Sequence, residues 1–171
     1  LNIVDLNNLF TNASVLDKKQ LKKYIKNLVN TNWNDKNNET IVNIIHSYNV
    51  NHIANGAKKP SNKERKIRNT VVHDLNNILN NAVLVETTSN TKKTQNPTTK
   101  GEKHKNNIDF YHRLYVPVSL NGNLYVIRLV VEEDKNNIGL QPKLTELYDI
   151  YIDKEGLLPP PSANGKSNGS S

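Results

Sequence analysis

Apolar residues recur along this chain at two spacings, and the change from one to the other divides it. From Asp17, the stretch DKKQLKKYIKNLVN sets Leu21, Tyr24, Ile25 and Leu28 three and four residues apart with lysines between them. That spacing predicts a helix capped by Asp17 and apolar on one side. Upstream, Ile3, Val4, Leu6, Leu9 and Phe10 form a short apolar cluster whose spacing also suits a helix. TNWNDKNN is a loop by its turn residues. In ETIVNIIHSYNVNHIANG the β-branched run TIVNII predicts a strand, and the remainder a short helix or turn ending near Gly56.

After Pro60, Ser61 and Glu64 have capping-box spacing and open a predicted helix over 61–81. At 100° per residue, Ile67, Val71, Leu75, Ile78 and Leu79 share one arc, and His73 falls opposite, on the solvent side. Arg68 lies inside the apolar arc, so its guanidinium must reach an edge or meet a partner across the core.

Beyond residue 81 the period shortens to two. Strands are predicted at 82–88, 108–120, 124–133 and 144–153, the middle pair joined by Asn121-Gly122, a strong hairpin signal. TSNTKKTQNPTTKGEKHKNN, between the first two, reads as a mobile surface loop. The expectation is an α+β fold: N-terminal helices, then a four-stranded antiparallel sheet with the 61–81 helix on one face. Residues 1–36 would be a helical extension, 37–155 the α+β domain, and 156–171 a disordered, linker-like tail.

Alternation assigns side chains to faces. Ile108, Phe110, Leu114, Val116 and Val118 point to the helix, and His112 goes with them unless a bulge reverses it. Tyr125, Ile127, Leu129 and Val131, then Tyr148, Ile150 and Ile152, complete the inward set. The helix-free face collects Asp109, Tyr111, Arg113, Tyr115, Arg128, Thr145, Leu147, Asp149 and Tyr151. Tyrosines there would stack on unpaired bases and the arginines would clamp phosphates. The same charges also suit cross-strand ion pairs on a solvated sheet.

Composition narrows the partner. The formal charge is +7 with 35% hydrophobic residues in 171, which favours an anionic partner, nucleic acid first, although the wealth of Asn and Lys also fits AT-rich coding. No cysteine is present, excluding disulfides, thiolate metal sites and cysteine nucleophiles. No apolar run approaches the roughly 18 residues of a bilayer span. The chain starts at Leu1 and has no methionine, so it reads as a piece of a longer polypeptide.

His46 and His52 are six residues apart with Lys58 and Lys59 close behind, a poor spacing for one helical face, and no metal site or cofactor is expected. His104 reads as incidental in its loop. Metal-free RNA cleavage needs a base for the 2′-hydroxyl, an acid for the leaving oxygen, and cations for the phosphorane. Histidines, lysines, arginines and tyrosines on one face would supply them.

RKIRNTVVHDLNNILNNAVLVE, FYHRLYVPVSLNGNLYVIRLVVEE and LTELYDIYI together resemble the large polyvalent protein-associated domain 3 of phages and mobile elements, over roughly residues 40–155. Their most specific parts are the helix-to-strand join LNNILNNAV, the hairpin and the LYD of the last strand. The resemblance implies a likeness to the barnase, EndoU, colicin and RelE class of metal-independent RNases, whose site lies on the open sheet face. It carries over to His52, Arg68, His112, Arg113, Arg128 and Tyr148. The function expected is a toxin- or effector-type endoribonuclease acting in the bacterial cytoplasm on RNA, tRNA included, with an immunity or antitoxin protein as a further partner. His52 or His112 would be acid or base, Arg113 and Arg128 the phosphate clamp, and Arg68, Tyr111, Tyr115, Thr145, Lys58 and Lys59 substrate contacts. The alternative is a non-catalytic module binding nucleic acid or protein through the same face.

Overall fold

The computed structural model describes residues 2–56 and 60–153, so Lys58, Lys59 and the 156–171 tail lie outside the described residues. Chain order is β1 (Val4–Asp5), α1 (Asn7–Ala13), α2 (Lys18–Lys26), β2 (Asn32–Asn34), β3 (Thr40–Asn43), α3 (Ser47–Asn55), α4 (Asn62–His73), α5 (Leu75–Asn80), β4 (Val83–Ser89), α6 (Lys100–Asn106), β5 (Ile108–Leu120), β6 (Asn123–Asp134) and β7 (Lys143–Asp153). Among the described residues no helix is long and apolar enough to cross a membrane.

Local chemistry explains the helix ends. Asp17 and Gln20 form a reciprocal capping box at the start of α2. The Ser61 hydroxyl accepts the Glu64 amide at 3.1 Å to open α4. The single helix expected over 61–81 breaks at Asp74, where φ is −122° and its N–H turns back to the Val71 carbonyl; Asp74 sits at the N-cap of α5 with its carboxylate accepting from Asn77 Nδ2 at 3.2 Å. His73, expected in solvent, is half-buried, stacked on Tyr24 with ring centroids 3.8 Å apart.

The fold is α+β, as the periodicities indicate, but the sheet is larger than four antiparallel strands. Among the described residues seven strands form a mixed sheet in the order β1-β5-β6-β7-β3-β2, with β4 also pairing β5. β4-β5-β6-β7 is the expected meander; β3 adds parallel to β7 and β1 parallel to β5. The β5–β6 hairpin turns through Asn121 (φ 53°) and Gly122 (φ 80°), the two positive φ values that a type I′ turn requires.

The inner face packs Leu114, Val116, Ile127, Leu129, Val131 and Ile150 against Ile67, Val71 and Leu75 from the helices. Residues 1–36, read in the sequence as an extension, add Val4, Leu6, Leu21, Ile25 and Trp33 to the same core. β1 is a two-residue strand anchored by Leu6 N–H to the Ser119 carbonyl at 3.0 Å.

The last strand departs from simple alternation. Val131 faces Leu147 and Val130 faces Asp149, so Tyr148 is an extra residue, a bulge in β7. Leu147 and Thr145, expected on the open face, are therefore buried, Leu147 within the core cluster and Thr145 donating to the Ile41 carbonyl at 2.9 Å. Tyr148, expected inward, instead joins Tyr111 and Tyr151 in lining a groove on the open face.

Candidate functional site

A groove of about 790 Å³ on the open face is lined by Tyr111, Arg113, Arg128, Val130, Tyr148 and Tyr151, with Thr88 to Lys92 and Lys105 along one side. Alternation in β5 and β6 brings Tyr111, Arg113 and Arg128 there, and the bulge adds Tyr148. Arg113 donates to Thr88 Oγ1 at 3.0 Å and lies 3.6 Å from Glu86, directly across on β4. Arg128 lies 3.6 Å from Asp153 and over the Tyr151 ring, 4.7 Å from its centroid. Its buried Nε has no hydrogen-bond partner among the described residues. The groove arginines are thus each in an ion pair, Arg113 with Glu86 and Arg128 with Asp153, while Asp109 pairs with Lys93 at 2.6 Å.

Next to the groove stands His52. Its Nε2 lies 3.0 Å from Asp149 Oδ2, and Asp149 is only 2% exposed. Arg68, buried among apolar neighbours, donates from Nη1 to Asp149 Oδ1 and to the Ile53 carbonyl, both at 3.3 Å. Burial lowers the Arg68 pKa and Asp149 raises it; the guanidinium stays charged. Arg68 therefore meets a partner, and that partner orients an imidazole from behind, as buried carboxylates do in acid–base sites. The His52 ring stacks on Tyr148 with centroids 4.2 Å apart and planes 21° apart. Tyr148 leans in turn on Tyr111 at 5.7 Å.

Tyr48 and His52 are one turn apart on α3 and share a face, their rings 6.1 Å apart. Burial raises the pKa of both Tyr111 and Tyr148, assisted by Glu132 at Tyr111 and by Tyr48 at Tyr148, so both phenols stay protonated donors at neutral pH.

The segment 88–107, expected as a mobile loop, contains α6 and is tied down. Asn90 donates to the Lys105 and Ile108 carbonyls at 2.9 Å, and Thr99 and Glu102 form a capping box. Gly101 lets α6 approach Tyr48, since a Cβ there would stand 3.0 Å from the Tyr48 ring. α6 delivers His104, whose Nε2 lies 2.8 Å from Glu132 Oε1. That hydrogen bond raises the His104 pKa against the opposing effect of burial. His46 Nδ1 lies 2.6 Å from Glu146 Oε1, and the His46 and His104 rings are 4.4 Å apart. Among the described residues, His46, His104 and Glu146 form a group that could hold a metal ion, one ligand atom from each lying within 4.8 Å of the others.

Of the residues the sequence singled out, Tyr111, Arg113, Arg128 and Tyr148 meet at the groove, with His52 and Arg68 behind. His112 does not join them. Alternation is unbroken there, and it is buried with Nδ1 2.7 Å from the Thr87 hydroxyl and Nε2 2.7 Å from Glu133, a satisfied core histidine. Thr145 is spent on β3, and Tyr115 lies opposite Arg128 in register, outside the groove lining. Tyr48, Glu132 and Glu146 are not singled out by the sequence, which reads His104 as incidental and Asp149 only as a charge of the open face. Two signals were available: the T-x-x-E cap at Thr99 and Glu102, and the four-residue spacing of Tyr48 and His52.

No curated protein and no solved structure matches the chain. The model of the family described as Large polyvalent protein-associated domain 3 matches residues 16–140, well over half of the chain and starting earlier than the resemblance read over 40–155, so that α2 is included. The chain belongs to the large polyvalent protein-associated domain 3 family.

Proposed function

We propose that this domain cleaves RNA without a metal cofactor, by attack of a 2′-hydroxyl on the adjacent phosphate. The observation that carries this reading is the His52–Asp149–Arg68 relay stacked on Tyr148 beside the arginine groove. His52, held through Nε2, takes the 2′-hydroxyl proton at Nδ1. The 2′-oxygen bonds to phosphorus, the bond from phosphorus to the 5′-oxygen breaks, and that oxygen takes its proton from the Tyr148 phenol. The products are a 2′,3′-cyclic phosphate and a 5′-hydroxyl. Arg113 and Arg128 neutralise the phosphorane, and Tyr111 and Tyr151 offer ring faces to unpaired bases, worth about 1–3 kcal/mol per stacked base.

A second reading is favoured by one fact: among the described residues no imidazole lines the groove itself. The domain would then bind nucleic acid or a protein through Tyr111, Arg113 and Arg128 without cutting. One experiment separates them. Structured RNA, tRNA included, is incubated with the domain in EDTA beside His52→Ala and Asp149→Asn. Cleavage ending in cyclic phosphates and lost in both variants supports the nuclease; RNA that is retained by the domain but uncut overturns it.

A further inference from the structure

We infer that His46, His104 and Glu146 form a binding site for one divalent transition-metal ion of the zinc class, separate from the His52–Asp149 pair. The inference does not rest on RNA cleavage. Three elements bring the ligands together: His46 precedes α3, His104 lies in α6 and Glu146 in β7, with one ligand atom from each within a 4.8 Å span.

Each ligand is already fixed. Glu146 Oε2 accepts the Ile45 and His46 amides at 3.0 and 2.7 Å, leaving Oε1 turned to His46 Nδ1. Glu132 holds His104 Nε2 at 2.8 Å while also accepting Asn49 Nδ2 at 2.8 Å, the carboxylate–histidine support typical behind metal-bound imidazoles.

Charge points the same way. Glu132 and Glu146 are direct cross-strand neighbours on β6 and β7, 2% and 8% exposed. Like charges so placed repel, and buried carboxylates call for a cation. Among the described residues their ion pairs are with His104 and His46, with no lysine or arginine. A divalent ion supplies the two positive charges while using the imidazoles as neutral ligands.

Two imidazole nitrogens and one carboxylate oxygen suit zinc, cobalt or nickel, whereas magnesium and calcium favour oxygen alone. Three protein ligands leave a fourth position for water. The ion would join α6 to the start of α3 and to β7, firming the side of the groove that holds Lys105. Without it, the His46–Glu146 and His104–Glu132 contacts keep the site assembled, so chelators need not abolish the function proposed above.

The test titrates EDTA-treated, desalted protein with zinc chloride by calorimetry. One ion per chain is expected, with no binding of magnesium and with visible d–d absorption when cobalt replaces zinc. His46→Ala and His104→Ala should each abolish stoichiometric binding, and Glu132→Gln should weaken it about 10–100-fold. Circular dichroism of the metal-free variants checks folding. If a variant is unfolded, the ring NMR signals of wild-type His46 and His104 decide, since zinc should move them and leave His112 unchanged. No saturable zinc binding, binding that survives both histidine substitutions, or ring shifts confined to other histidines would overturn the inference.

Discussion

Gly56 and Arg68 compete for one space: a Cβ on Gly56 would stand 2.6 Å from Arg68 Nε. Gly56 has φ 68° and ψ −162°, a region essentially reserved for glycine, and it ends α3 just after the turn that carries His52. Gly56→Ala is expected to destabilise the fold by about 1–3 kcal/mol from backbone strain, with added displacement of Arg68. Urea denaturation measures the first effect. The second predicts that surviving folded protein loses any activity that depends on His52.

Arg68 and Asp149 form a buried pair, 4% and 2% exposed. Asp149→Leu strands the Arg68 charge, at about 3–5 kcal/mol in equilibrium unfolding, whereas Arg68→Met leaves Asp149 with His52 as its remaining partner and should show a smaller loss. Together they should sit closer to wild type than Asp149→Leu alone, because no buried charge is left unpaired. A double mutant equal to the sum of the two losses would mean the pair acts independently.

His52 and His112 carry opposite predictions. His112→Ala leaves Glu133 buried without its imidazole and should destabilise the fold, yet cleavage per folded molecule should match wild type. His52→Ala should lower cleavage with little change in melting temperature, since its ring is about a third exposed. Loss of cleavage in a well-folded His112 variant would return that residue to the site.

Alkaline titration probes the open face. Burial raises the pKa of Tyr111, Tyr148 and Tyr151 above 10.0. In the unfolded chain these phenols ionise near 10, so the stability they contribute is present in full below that pH and is lost as pH rises through the folded values. Ultraviolet titration of the native protein should therefore show some of the seven tyrosines ionising late, coincident with alkaline unfolding. Replacing Tyr148 with Phe should remove one late phenol and leave the others.

Much of this was legible in the sequence because it depends on alternation. The inward rows of β5 and β6, the I′ turn at Asn121-Gly122, and the need of Arg68 for a partner all follow from position within a regular element. Three things were not. β1 and β2 have two and three residues, too few to show a period. α6 is a seven-residue helix without buried residues, so its polar composition looks like loop, and His104 was dismissed with it. The bulge at Tyr148 is a matter of register against β6, which one strand cannot reveal about itself.

That bulge makes Tyr148 and Asp149, consecutive in the chain, serve the same side of the sheet, which a regular strand forbids. His52 is thus gripped by the carboxylate of one residue and faced by the ring of the residue beside it. Anchor and stacking partner are separated by a single peptide bond. Any bending of the sheet carries both together, so the alignment of the imidazole depends on covalent geometry more than on the quality of distant packing.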